Sequence, residues 1–170
     1  MSHAGVLRHM LATMAYRGGK TLRDAPAAFA TFCPAGCANT PLVLLAHMGD
    51  LIEWAQRACA GTEDSYQVSE PLAWAEQVAR FYRALESFDA YLASGAPVAM
   101  PLERLFQAPI ADVFTHIGQL ALLRRMAGAP VAGEAYRAAE IVAGRVGPEQ
   151  APPGRAFAPG KGAIWRPPGE

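Results

Sequence analysis

Three polar side chains, His47, Asp112 and His116, have the residue types and the spacing of a metal site. His47 falls within the apolar arc of a predicted helix, on the same face as Leu44 and Leu51. Asp112 and His116 are four positions apart, so they lie on one face of another predicted helix. Two neutral imidazoles and one carboxylate bind a divalent ion and leave positions open for water or a substrate.

A closed polar network is the alternative interpretation of the same three residues. Burying an ionised carboxylate and two imidazoles without partners costs several kcal/mol, so these groups need either one another or a cation. Asp112 and His116 would then form a hydrogen-bonded pair beside an unrelated buried His47. Because a short spacing of this kind also arises by chance, the spacing alone leaves both interpretations open.

The composition predicts one helical domain with no nucleic-acid partner. Of the 170 residues, 52% are hydrophobic and 18% are charged, which is too apolar for a disordered chain. β-branched residues are few, whereas Ala, Leu and Arg are common, and this balance favours helix over strand. Fifteen Lys and Arg residues balance fifteen Asp and Glu residues, so no net positive field attracts phosphates.

The sequence predicts a cytoplasmic protein without a membrane partner. No apolar stretch reaches the roughly 20 residues that a helix needs to span a bilayer. Arg8 and His9 interrupt the apolar residues near the N-terminus, so we expect no secretory signal. The three cysteines form no disulfide framework, which is typical of a reducing compartment.

Apolar periodicity and capping signals predict an all-α fold, a four-helix bundle. The four long helices are expected over about 3–23, 41–60, 69–95 and 109–127. A short fifth helix is predicted over 134–144, which would complete a bundle domain over 1–145. The Pro/Gly-rich tail, residues 146–170, is expected to dock on the bundle. Its apolar residues are Phe157, Ile164 and Trp165.

Two stretches of the chain resemble the metal-ligand helices of the DinB/YfiT-like superfamily. TPLVLLAHMGDLIEWA (40–55) is similar to the helix that carries an L-x-H histidine in mid-bundle. PIADVFTHIGQLALLRRMAGAPV (109–131) is similar to a later helix with a ligand pair at i and i+4, followed by a G-Q-L, L-R, G-x-P run. The resemblance implies an up-down-down-up four-helix bundle, a divalent metal (commonly zinc or nickel) and a homodimer.

By this resemblance, His47 matches the first ligand, Asp112 the first position of the later pair and His116 its second. Histidine is the commonest family residue where Asp112 stands, and a carboxylate there resembles the mycothiol-dependent maleylpyruvate isomerase branch, which has Glu. Because Asp is one methylene shorter, it is open whether Asp112 binds the metal directly, through a water, or by orienting a ligand histidine.

The same resemblance implies a small-molecule substrate in a pocket between the helices. The expected activity is that of a metal-dependent thiol transferase, isomerase or hydrolase, with a low-molecular-weight thiol as a candidate cofactor. The alternative is a non-catalytic stress-response or binding protein on the same bundle, with or without metal.

The other chemistry-bearing residues receive structural interpretations. Cys33 and Cys37 are spaced as C-x3-C, but no second Cys or His pair follows, so we interpret them as loop thiols and not as a structural zinc site. Arg124 lies in the apolar arc near the C-terminal end of its helix. This position predicts that its guanidinium either extends out to solvent or caps backbone carbonyls, with an anion site as the alternative.

Overall fold

The computed structural model describes residues 2–62 and 65–157, and the predicted all-α class is confirmed over that part of the chain. The helices are α1 (His3–Leu22), α2 (Pro41–Ala60), α3 (Trp74–Ala93), the short α4 (Leu102–Leu105) and α5 (Ala111–Met126). Single 3-10 segments lie at Ala27–Thr31 and Tyr136–Ala138. No strand occurs within the described ranges, and none of the helices there is long and apolar enough to cross a membrane.

Local signals explain where α1 and α2 begin and where α2 ends. The Ser2 side chain accepts a hydrogen bond from the Gly5 amide at 3.1 Å, and the Thr40 side chain accepts one from the Val43 amide at 3.3 Å. Each hydroxyl satisfies an amide that has no partner within the helix. Gly61 ends α2 in the left-handed conformation, with φ of 67°, which glycine adopts without steric cost.

A π-helical turn over Phe106–Ile110 joins α4 to α5 and contains Pro109. Proline has no amide hydrogen, and its ring clashes with the preceding turn of a regular α-helix. The wider π turn accommodates this clash and lets the chain continue in the helical direction. Asp112 therefore lies in the first turn of α5, where it faces α2.

The four long helices share one apolar core. α2 packs against α3 and α5, and α1 also packs against α3 and α5. Burial of each large side chain in this core contributes ~1.5–3 kcal/mol relative to exposure. The largest fully buried side chains are Phe29, Phe81, Phe88, Leu7, Leu11, Met14, Leu45, Met48, Ile52, Leu85, Leu105 and Ile110. The packing of α2 on α5 brings the two helices of the predicted site side by side.

The sequence predicted that the third long helix begins at Ser69, but in the structure it begins at Trp74. The backbone amide and the hydroxyl of Ser69 both donate to the carboxylate of Asp50, at 3.1 and 2.7 Å. These contacts hold Ser69 in a non-helical segment against α2. Leu72, which also lies before the start of the helix, is 41% exposed.

The predicted helix over 134–144 is wrong. Within that range only Tyr136–Ala138 forms a 3-10 turn. The buried Glu134 carboxylate accepts hydrogen bonds from the Tyr16 hydroxyl at 2.5 Å and the Lys20 ammonium at 2.7 Å. This long-range tether to α1 opposes helix formation, which a moderate local propensity does not overcome.

The tail, residues 146–170, contacts the rest of the protein at Phe157. The Phe157 amide donates to the Gly133 carbonyl at 2.8 Å. A Cβ atom at Gly133 would lie 3.2 Å from the Phe157 ring, so the aromatic side chain packs on the glycine. The two other apolar residues expected to dock, Ile164 and Trp165, lie outside the described residues.

Arg124 binds backbone carbonyls at the ends of α1 and α5, which is the capping role, one of the two structural roles expected from its position. Its guanidinium donates to Ala129 at 2.7 Å and to Thr21 and Arg23 at 3.2 Å each. Arg124 is 6% exposed, so these carbonyls have little water to replace the guanidinium.

We expect Arg124→Ala to lower the free energy of unfolding by about 2–3 kcal/mol, because the variant removes charged donors from partly buried carbonyls. Urea denaturation measures the change. Arg125→Ala, at the exposed neighbouring position, is the control and should shift stability by less than about 0.5 kcal/mol. Equal stability of the two variants would contradict the capping role.

Candidate metal centre

The structure brings together all three residues that the sequence singled out. The carboxylate of Asp112 lies between the two imidazoles: Oδ2 is 3.3 Å from Nε2 of His47, and Oδ1 is 3.2 Å from Nε2 of His116. The two rings meet edge to face, with centroids 4.9 Å apart. One ligand atom from each residue lies within 4.8 Å of the other two.

The cluster is accessible to small molecules. The side chains of His47 and Asp112 are 34% and 44% exposed, whereas that of His116 is 13% exposed. A pocket of about 510 Å³ opens beside the two histidines. Its apolar lining includes Val43, Leu44, Val68 and Pro71. A second pocket of about 300 Å³ lies on the Asp112 side, next to Trp54.

The Gln119 side chain favours a proton on Nδ1 of His116. The side-chain oxygen of Gln119 lies 2.8 Å from Nδ1 of His116, and because this oxygen only accepts, Nδ1 is the donor. In the neutral ring Nε2 then bears a lone pair, which faces the Asp112 carboxylate at 3.2 Å. Two acceptors at this distance repel each other unless a proton or a metal cation lies between them.

The donor atoms fit a divalent ion in both type and spacing. Zinc binds imidazole nitrogen and carboxylate oxygen at about 2.0–2.2 Å, so neighbouring ligand atoms of a tetrahedral site lie about 3.3–3.5 Å apart. Each ring nitrogen is close to that distance from a different oxygen of Asp112, 3.3 Å to Oδ2 for His47 and 3.2 Å to Oδ1 for His116, so binding through one carboxylate oxygen would require a small movement of the side chains. A set of two imidazoles and a carboxylate suits zinc or nickel.

Tyr66, like Gln119, is a residue at this site to which the sequence analysis assigned no role. Its hydroxyl lies 2.5 Å from Nδ1 of His47, and its ring packs edge-on against both His47 and Trp54. Burial and the nearby carboxylates of Asp50 and Asp112 raise the pKa of the Tyr66 hydroxyl, so it remains protonated at neutral pH. Tyr66 lies outside the periodic segments, so no spacing signal connected it to His47.

The two loop cysteines are separate from the cluster. The Cys33 thiol donates to the Cys37 carbonyl at 3.0 Å, and the Cys37 thiol donates to the Asn39 carbonyl at 2.9 Å. The Cys37 side chain raises the pKa of Cys33, which lowers the thiolate fraction of this residue. Among the described residues, the group of possible metal ligands is His47, Asp112 and His116, and it includes neither cysteine.

No protein-family model, curated protein or solved structure matches this chain. The interpretation of the site therefore rests on the types and positions of its donor atoms.

Gln119→Leu should weaken zinc binding by about ten- to hundredfold, because the variant removes the acceptor that keeps Nε2 of His116 free for the metal. Competition against a chromophoric chelator measures the affinity. Gln119→Glu retains an acceptor oxygen and should bind zinc at least as tightly as the unmodified protein. An unchanged affinity in the leucine variant would show that Gln119 does not prepare His116.

Proposed function

We propose that this chain is a DinB-like protein in which His47, Asp112 and His116 hold one divalent ion, zinc or nickel, beside a substrate pocket. The proposal depends on one observation, the contact between Nε2 of His116 and Oδ1 of Asp112. Because Gln119 accepts from Nδ1 of the neutral His116 ring, both of these atoms are acceptors. A cation relieves this repulsion. Because each Asp112 oxygen lies beside one ring nitrogen, the proposal includes direct binding by Asp112.

The proposed architecture is the up-down-down-up four-helix bundle that the resemblance implies. In support, α1 and α2 each pack against both α3 and α5. This arrangement makes α2 and α5 neighbours, so that ligands from both helices reach one ion.

The proposed reaction is transfer of a low-molecular-weight thiol to a small electrophile, or hydrolysis of such a molecule. A divalent ion in this site supplies a lowered pKa for a bound water or thiol and polarises an electrophilic group. His47 and His116 would fix its position, and Asp112 would balance part of its charge. The apolar side chains of the 510 Å³ pocket would bind the body of the substrate and exclude water from it.

A non-catalytic role on the same bundle is the second candidate function. That role predicts a site closed to substrate. The exposed fractions of His47 and Asp112, 34% and 44%, together with the adjoining pocket, favour access and therefore the catalytic proposal.

Protein purified without a tag and without chelators should carry about one equivalent of zinc or nickel, measured by plasma mass spectrometry. The double variant His47→Ala/His116→Ala should lose the metal because only one of the three ligands remains. The control is His9→Ala, which removes an exposed histidine of α1 and should retain the metal.

Circular dichroism would establish that the double variant is folded. Metal in the unmodified protein and its loss from the folded double variant would support the site and justify a screen of thiols with electrophiles. A protein that takes up no metal, even after reconstitution with zinc or nickel, would overturn the proposal in favour of a self-satisfied polar network.

A further inference from the structure

His47 is held from two sides. On one side its Nε2 faces Asp112 at 3.3 Å, and on the other its Nδ1 contacts the Tyr66 hydroxyl at 2.5 Å. The Tyr66 ring also packs edge-on against Trp54, with centroids 6.1 Å apart. The contact at Nδ1 fixes the rotation of the imidazole and therefore the direction in which the Nε2 lone pair points.

Tyr66 does not belong to a helix, so its position depends on a tether. Ser69, in the same non-helical segment, donates twice to the Asp50 carboxylate, at 3.1 and 2.7 Å. Asp50 is 3% exposed and lies about one turn beyond His47 on α2. The Arg80 guanidinium of α3 donates to Asp50 and to the Ser69 hydroxyl, each at 2.6 Å. One helix thus carries both His47 and the anchor of its partner.

A tyrosine hydroxyl suits this position because it both donates and accepts. A neutral imidazole has a proton on one nitrogen only. When Nε2 of His47 carries the proton and donates to Asp112, the Tyr66 hydroxyl donates to Nδ1. When Nε2 is a metal ligand, the ring proton is on Nδ1, and the Tyr66 oxygen accepts a hydrogen bond from Nδ1. The exchange releases one proton from Nε2 to solvent and takes one up at Nδ1, so no net proton is consumed.

We propose that Tyr66 is the positioning residue of His47, that Asp50 anchors it through Ser69, and that its hydroxyl changes from donor to acceptor when His47 binds metal. This inference rests on the proposed metal site. In the metal-bound arrangement the hydroxyl proton of Tyr66 is free to bond to a molecule in the 510 Å³ pocket, which Tyr66 also lines. The occupant best suited to that position has an acceptor oxygen there.

The test compares Tyr66→Phe with Tyr136→Phe in the full chain. Tyr66 and Tyr136 are 37% and 38% exposed, so the control removes a hydroxyl from an equally accessible tyrosine outside the site. Both variants retain the ring and its packing. Zinc competition should show about ten- to hundredfold weaker binding for Tyr66→Phe and no change for Tyr136→Phe. Ser69→Ala, which removes the hydroxyl's bonds to Asp50 and Arg80 but keeps the bond from the Ser69 amide to Asp50, should show a smaller loss.

Nitrogen-15 NMR of the histidine side chains provides a second readout that needs no metal. In the metal-free protein the Nδ1 resonance of His47 should indicate an accepted hydrogen bond. Tyr66→Phe should move this resonance to that of an unbonded nitrogen, whereas Tyr136→Phe should leave it in place. Unchanged zinc affinity in Tyr66→Phe, or weaker zinc binding without a change at Nδ1, would overturn the proposal.

The two measurements also separate this inference from the function on which it rests. If the unmodified protein binds neither zinc nor nickel, the proposed function fails, and the metal-dependent part of this inference fails with it. If the protein binds zinc and Tyr66→Phe binds it equally well, the metal site stands and the role of Tyr66 is refuted.

Discussion

The arrangement of the site depends on the repulsion between acceptor atoms at its centre. Nδ1 of His116 donates its proton to the Gln119 oxygen. While the ring is neutral, Nε2 therefore has no proton to donate to Asp112, and the repulsion between Nε2 and the carboxylate remains. Either a proton on Nε2 of His116 or a bound cation relieves this contact, and the proposed divalent ion would do so for all three side chains at once.

The surrounding fold keeps these groups in place. His47 and the later pair project from two packed helices, and side chains on such elements are held more precisely than side chains on loops. The π turn at Pro109 sets the start of α5 and with it the position of Asp112. The non-helical segment that carries Tyr66 is held by charged side chains, because its Ser69 binds Asp50, which is paired with Arg80.

The parts of the structure that local rules govern were predictable. α2 begins and ends where its capping threonine and its glycine indicated, and the spacing of Asp112 and His116 placed them on one face. Two predictions failed where distant partners override local propensity. Ser69 resembles a helix start, but it binds Asp50 on another helix, and Glu134 is held by two residues of α1.

Tyr66 shows the limit of sequence reasoning for the site. It lies in a segment without periodicity, and its position follows from a buried network and not from the residues beside it. A loop residue of this kind is identified only when the tether and the histidine it contacts are seen together. His47, Asp112 and His116 form one contacting cluster with Gln119 and Tyr66, and the sequence patterns identified the first three of these residues.

X-ray absorption spectroscopy of the zinc-loaded protein would report which atoms bind the ion. We expect nitrogen and oxygen neighbours at about 2.0–2.2 Å, with multiple scattering from two imidazoles. Sulfur neighbours at about 2.3 Å would instead place the ion on the cysteines. That result, or the absence of imidazole scattering, would contradict a metal site built from His47, Asp112 and His116.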